Sequence, residues 1–185
     1  MKRAKALLIA IDGVDGAALL TAAREALSAR GPGGISRWDA SGVFQDLAVA
    51  DADAGVPSAR TLLLLYAADL AFRLRWQIRP ALAEGRTVVA APYVDTAIAF
   101  GRAAGLKVGW LASLFSFAPR PAERHVVLPR ALRRIAVQDG FVGFGCDRIS
   151  SGAGGRTRRH MIDETAAHLR RSGRRTSVRS GRGRS

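Results

Sequence analysis

The sequence predicts a three-layer α/β domain: a mainly parallel sheet flanked by helices. Three observations predict it. Continuous apolar runs at residues 6–11 and 87–91 have the pattern of strands buried on both faces of a parallel sheet. Segments with helical periodicity separate these runs, as crossover connections require. A chain of 185 residues, 48% hydrophobic and 24% charged, is sized for one domain with its own core.

The elements follow in order. Residues 6–11 form the first strand, and a glycine turn at Gly13 to Gly16 ends it. Residues 17–30, rich in Ala, Leu and Glu, form a helix that stops at "GPGG". "ISRW" at 35–38 is a short second strand, and the polar stretch from 39 to 59 holds one helical turn. From 61 to 84 apolar residues recur at Leu62, Leu63, Tyr66, Ala67, Leu70, Leu74 and Ile78, a long helix that Pro80 kinks near its end. "TVVAA" is the next strand, followed by helices over 95–104 and 108–117. "HVVL" at 125–128 is a fourth strand, "GFVGF" at 140–144 a fifth, and 156–171 a last helix.

Charge is unevenly placed. Lys and Arg number 29 against 15 Asp and Glu, a net charge of +14. Seven of these cations are the arginines of 170–185, a segment without acids. This divides the chain into a domain at 1–169 and a disordered basic tail at 170–185, which can contact the phosphates of a nucleic acid without reading bases. The single cysteine, Cys146, excludes an internal disulfide, and no Cys/His spacing matches zinc. The basic start "MKRAKALLIAI" is followed by Asp12 and Asp15, which cut its apolar run at about six residues, too short for a signal peptide. The expectation is a cytoplasmic protein that crosses no membrane. His125, His160 and Cys146 have no catalytic motif around them.

The first strand, the glycine turn and the next helix stand where a phosphate-binding loop would. The motif GxxxxGK[ST] supplies glycines for close approach, a lysine for the β/γ-phosphates and a hydroxyl for magnesium. Here the eight positions read Gly13, Val14, Asp15, Gly16, Ala17, Ala18, Leu19, Leu20.

"LLIAIDGVDGA" resembles the start of the thymidylate kinases, whose loops read (I/F)EG(V/I)DGAGK(S/T). "LLLLYAADLAFRLRWQIRPALAEGRTVVAAPYVDTAIAF" is similar to that family's LLFAADRxxHxxxxIxPALxxGxxVxxDRYxxSxxAY. "WLASLFSFAPRPAERHVVL" is similar to the helix and "RPDLTLLLD" strand that follow. The resemblance covers about residues 5–128 and implies a P-loop kinase-like fold, Mg-ATP as cofactor, dTMP as substrate and a homodimer. The face of the 61–84 helix could supply that interface or belong to the core.

Carried across by position, the family's catalytic lysine falls on Leu19 and its magnesium-binding hydroxyl on Leu20, with Thr21 a poor substitute. The aspartate and arginine of DRY fall on Ala91 and Pro92, and the arginine after "AAD" on Leu70. Each lost charge-assisted hydrogen bond is worth about 1.5–3 kcal/mol, and each 1.36 kcal/mol is about tenfold in rate. No catalytic residue is assigned.

What remains is a nucleotide-binding turn, Gly13, Asp15, Gly16, Ala17 and Ala18, whose backbone N–H groups attract anions. The resemblance adds a substrate pocket of Asp12, Arg37, Leu70, Tyr93, Asp95 and Phe100, and lid arginines at Arg130, Arg133 and Arg134. Asp12 and Asp15 can equally cap the turn, and Tyr93 and Phe100 can equally be core. The leading expectation is a catalytically inactive, thymidylate-kinase-like binding or regulatory module that holds ATP or dTMP. The alternatives are a weak dTMP kinase and a nucleic-acid-associated protein acting through its tail.

Overall fold

The computed structural model describes residues 6–54, 57–128, 140–150 and 158–180. Four parallel strands form one sheet: β1 (Leu8–Gly13), β2 (Gly33–Arg37), β3 (Thr87–Ala91) and β4 (Glu123–Val127). Their order is β2-β3-β1-β4, with Ile9 opposite Val89 and Ile11 opposite His125. Along β1 the side chains alternate between two cores. Ile9 and Ile11 join Val89 and Ala91 beneath helix α1 (Gly16–Ser28), which contributes Leu19 and Ala23. Leu8 and Ala10 face the larger core built by the helices of the opposite layer.

That layer holds α3 (Ala59–Arg73), which runs through a wider turn at Leu74–Ile78 into α4 (Arg79–Ala83). There the Arg79 N–H donates to the Leu74 carbonyl, five residues back. Pro80 sits in the first turn beyond, so the expected kink takes the form of a π-type turn. Helices α5 (Val94–Ala103), α6 (Val108–Leu114), α7 (Phe141–Ser150) and α8 (Arg158–Ser180) complete the layer.

Three sequence expectations change. The stretch "GFVGF" opens α7 and is no strand: Phe141 and Phe144, three apart on one helical face, pack edge-on against Trp38 and Phe44. The polar stretch after β2 forms a full helix, α2 (Val43–Ala54), anchored by buried Phe44. The last helix continues to Ser180 without a break at 169, so its backbone enters the segment whose composition reads as a disordered tail. Met161, Ile162, Thr165, Ala166 and Leu169 are buried and hold its first half to the body. No helix of the described residues is long and apolar enough to cross a membrane.

Candidate functional site

In a sheet of order β2-β3-β1-β4 the chain leaves β1 toward one side and β3 toward the other, so the ligand crevice expected of an open α/β sheet lies between the carboxyl ends of β1 and β3. Asp12 sits at its base, 2% exposed. Its Oδ1 accepts the N–H groups of Tyr93 (3.0 Å) and Thr96 (2.9 Å) and the Thr96 hydroxyl (2.8 Å). Burial, with the Asp95 charge second, raises its pKa to about 6 despite these donors.

The turn after β1 uses its own hydrogen-bonding capacity. Gly13 N–H donates to Thr96 Oγ1 at 3.0 Å, and Ala18 N–H to Asp15 Oδ1 at 2.9 Å, so Asp15 is the N-cap of α1. Gly13 has to be glycine, because a methyl group there would lie 2.5 Å from the Val127 carbonyl oxygen. Leu19 points inward at 3% exposure and belongs to the core under α1. Gly140, just before α7, covers the start of α1: a methyl group on it would stand 3.1 Å from the Gly16 nitrogen. A small space of about 10 Å³ lies between Gly16, Leu19, Leu20, Arg37, Trp38, Ala91, Pro92 and Gly140. That volume admits about one water molecule.

Beside the crevice, the expected base-pocket residues Leu70, Tyr93 and Phe100 are all buried in the main core. Phe141, 1% exposed, lies among them, 4.5 Å from the Tyr66 ring and 5.1 Å from that of Phe100. Tyr93 donates its hydroxyl to the Pro119 carbonyl at 2.8 Å, and burial raises its pKa to about 12. Asp95 faces Arg124 on β4 at 3.7 Å.

Sequence reasoning missed a buried ion pair. Arg73 Nε lies 2.9 Å from Asp69 Oδ2, both side chains at 0% exposure, and Arg73 Nη1 donates to the Pro92 carbonyl at 3.1 Å. Asp69 also accepts the N–H groups of Asp39 and Ser41, which ties the turn after β2 to α3. The only signal in the sequence was an Asp and an Arg four residues apart on a helix. The guanidinium thus enters one turn beyond Leu70.

A larger space opens past the end of β2. A groove of about 1140 Å³ is lined by Arg37, Trp38, Asp39, Phe44, Gln45, Phe144, Asp147, Arg148 and Arg158, among others. Arg148 stacks on the Phe144 ring at 3.4 Å, and Arg158 pairs with Asp147. Among the expected site residues that are described, Arg37 alone lines this groove. The lid arginines Arg130, Arg133 and Arg134 lie outside the described residues.

No family model matches the chain. It is similar to probable thymidylate kinases of Pyrococcus horikoshii, 45% identical over 58 residues (31% of this chain, 28% of that one), and of Pyrobaculum calidifontis, 30% identical over 116 residues (62% and 60%). A thymidylate kinase of Xanthomonas campestris is 34% identical over 119 residues, 62% of this chain and 52% of that one. The solved thymidylate kinase of Ehrlichia chaffeensis superposes with a TM-score of 0.55 at 17% identity, covering 66% of this chain and 74% of that one. The chain is similar to thymidylate kinases over part of its length. It matches between 28% and 60% of the length of these three curated relatives. It shares the thymidylate kinase P-loop fold.

Proposed function

We propose that this thymidylate kinase relative transfers no phosphate and works as a binding module, taking a ligand in the groove beyond β2. The observation that carries the reading is the lining at the ends of β1 and β3, where Leu19, Leu20, Ala91 and Pro92 stand and Gly140 lies against the start of α1. Two of the turn's N–H donors are already used by Thr96 and Asp15. The walls at Leu19, Leu20, Ala91 and Pro92 are apolar, where a polyphosphate needs donors and cations, and among the described residues Arg37 is the one cation of that lining. Phe141 stands among the aromatic residues that would otherwise receive a base.

The groove has the opposite character: arginines and carboxylates line it together with the rings of Trp38 and Phe144. A planar anion such as a nucleoside phosphate matches this lining. A coupled assay of ADP release with Mg-ATP and dTMP tests the loss of transfer. The reading expects no turnover above background at millimolar substrate. Formation of dTDP would replace it with the weak-kinase alternative.

The outward face of α3 and the following turn leaves Leu64, Phe72 and Trp76 50%, 38% and 64% exposed at helical spacing. This apolar stripe supports a homodimer through that face, whereas the opposite face, with Leu62, Leu63, Tyr66 and Leu70, is core. Sedimentation velocity checks it: the parent chain is expected as a dimer and Trp76→Glu as a monomer.

A further inference from the structure

Helix α8 is docked along one face only. Beyond its buried residues, a methyl group on Gly173 would touch Val126 of β4 at 3.4 Å, so the docked face persists to that point. The opposite face exposes Arg159, His160, Arg170 and Arg171, and the backbone stays helical through Ser180. Positions 174 and 175 follow Arg170 and Arg171 by four residues, and 179 lies further along the same helix. All three are arginines, and no acid occurs after Glu164.

The body extends this patch. Arg102, in the last turn of α5, and Arg171 both bear on His168, whose Nδ1 is 3.0 Å from Arg171 Nη2. Burial first, then these two cations, lower the His168 pKa against the opposing pull of Glu164, so the imidazole adds no positive charge at neutral pH. Asp163 is 3.9 Å from Arg159, so both carboxylates of the helix lie in its first turns.

We propose that the outward arc of α8, together with Arg102, docks the phosphodiester backbone of a nucleic acid without regard to base sequence. Guanidinium groups bind phosphate oxygens in bidentate fashion, and here they recur along one helical face. Residues 170–180 contain no aromatic side chain on which a base could stack, and no Asn or Gln to read a base edge. Val178 is their one sizeable apolar residue, too little to anchor a helix in a lipid interface. The surface is separate from the groove, and the proposal is independent of the reading given to it.

The test is fluorescence anisotropy of the full chain with a labelled 20-base-pair duplex, in two unrelated sequences, between 50 and 200 mM salt. Six phosphate contacts would weaken binding by about a thousandfold over that range, with nearly equal affinity for the two sequences. Replacing Arg170, Arg171, Arg174 and Arg175 together by Gln is expected to lower the slope of log K against log salt by about 3 to 4, and Arg102→Gln alone by about 1. Far-UV circular dichroism of each variant reports whether the body remains folded. The proposal is overturned if the duplex does not bind at 50 mM salt, or if the fourfold variant keeps the parent slope. An unchanged slope for Arg102→Gln removes the body from the surface, and tighter binding to anionic phospholipid vesicles than to the duplex contradicts the choice of ligand.

Discussion

Phe141→Ala removes the ring that fills the space between Tyr66, Phe100, Phe44 and Trp38. A fully buried phenylalanine withdraws about 150–250 Å² from water, which at about 25 cal/mol/Å² is worth roughly 4–6 kcal/mol as an upper bound. Phe→Ala truncations in cores cost about 3–5 kcal/mol, because the cavity collapses only in part. We take about 4 kcal/mol. Urea unfolding with a slope of about 2 kcal/mol/M would then show the midpoint falling by about 2 M. The vacated space is walled by aromatic rings, so benzene should stabilise the variant and leave the parent unaffected. Phe141→Leu keeps most of the volume and is expected to cost about 1–1.5 kcal/mol, which serves if the alanine variant does not fold. A loss below about 1 kcal/mol with an unchanged slope would refute the reasoning, since α7 would not then be seated across the aromatic cluster.

Asp12 titrates near pH 6 in the fold against 3.8 for a free side chain, so the native state holds the extra proton between these values. Stability should therefore fall as pH rises from about 4 to 6, by about 3 kcal/mol for this group alone. Asp12→Asn keeps an acceptor for Tyr93 and Thr96 and removes that fall; urea unfolding at several pH values compares the two, and equal pH profiles would count against the burial of Asp12. Arg73→Met strands the Asp69 carboxylate and is expected to cost about 3–5 kcal/mol, whereas Arg73→Met with Asp69→Asn should recover a large part. A double-mutant cycle that shows no coupling would mean the two side chains do not act as a pair.

Much of the fold was legible because its strands are buried on both faces. The runs at 6–11 and 87–91 admit few other readings, and the helical spacing from Leu62 to Ile78 marked the core face of α3 correctly. "GFVGF" misled because a short aromatic and β-branched run between glycines satisfies strand and helix alike. Its partners Trp38, Phe44, Tyr66 and Phe100 decide the matter, and they are distant in sequence.

The site was legible as a set of substitutions and illegible as a shape. Leu19, Leu20, Ala91 and Pro92 could be read off the motif positions, but nothing local announces that Gly140 comes to lie beside them or that Phe141 packs between Tyr66 and Phe100. Arg73 escaped notice for a related reason. Its carboxylate partner is one turn away, and its other contact, the Pro92 carbonyl, becomes a neighbour only when α3 packs over β3.

Isothermal titration of the full chain with Mg-ATP and with dTMP, each taken separately to millimolar concentration, tests most directly whether the crevice between β1 and β3 is closed. The account predicts no heat from Mg-ATP and no accompanying rise in melting temperature. A ligand at 1,000 times its Kd stabilises by about 4 kcal/mol, so micromolar binding would be unmistakable in either readout. Heat from dTMP that is lost in Arg148→Ala would place it in the groove and leave the account standing. Micromolar binding of Mg-ATP would contradict it.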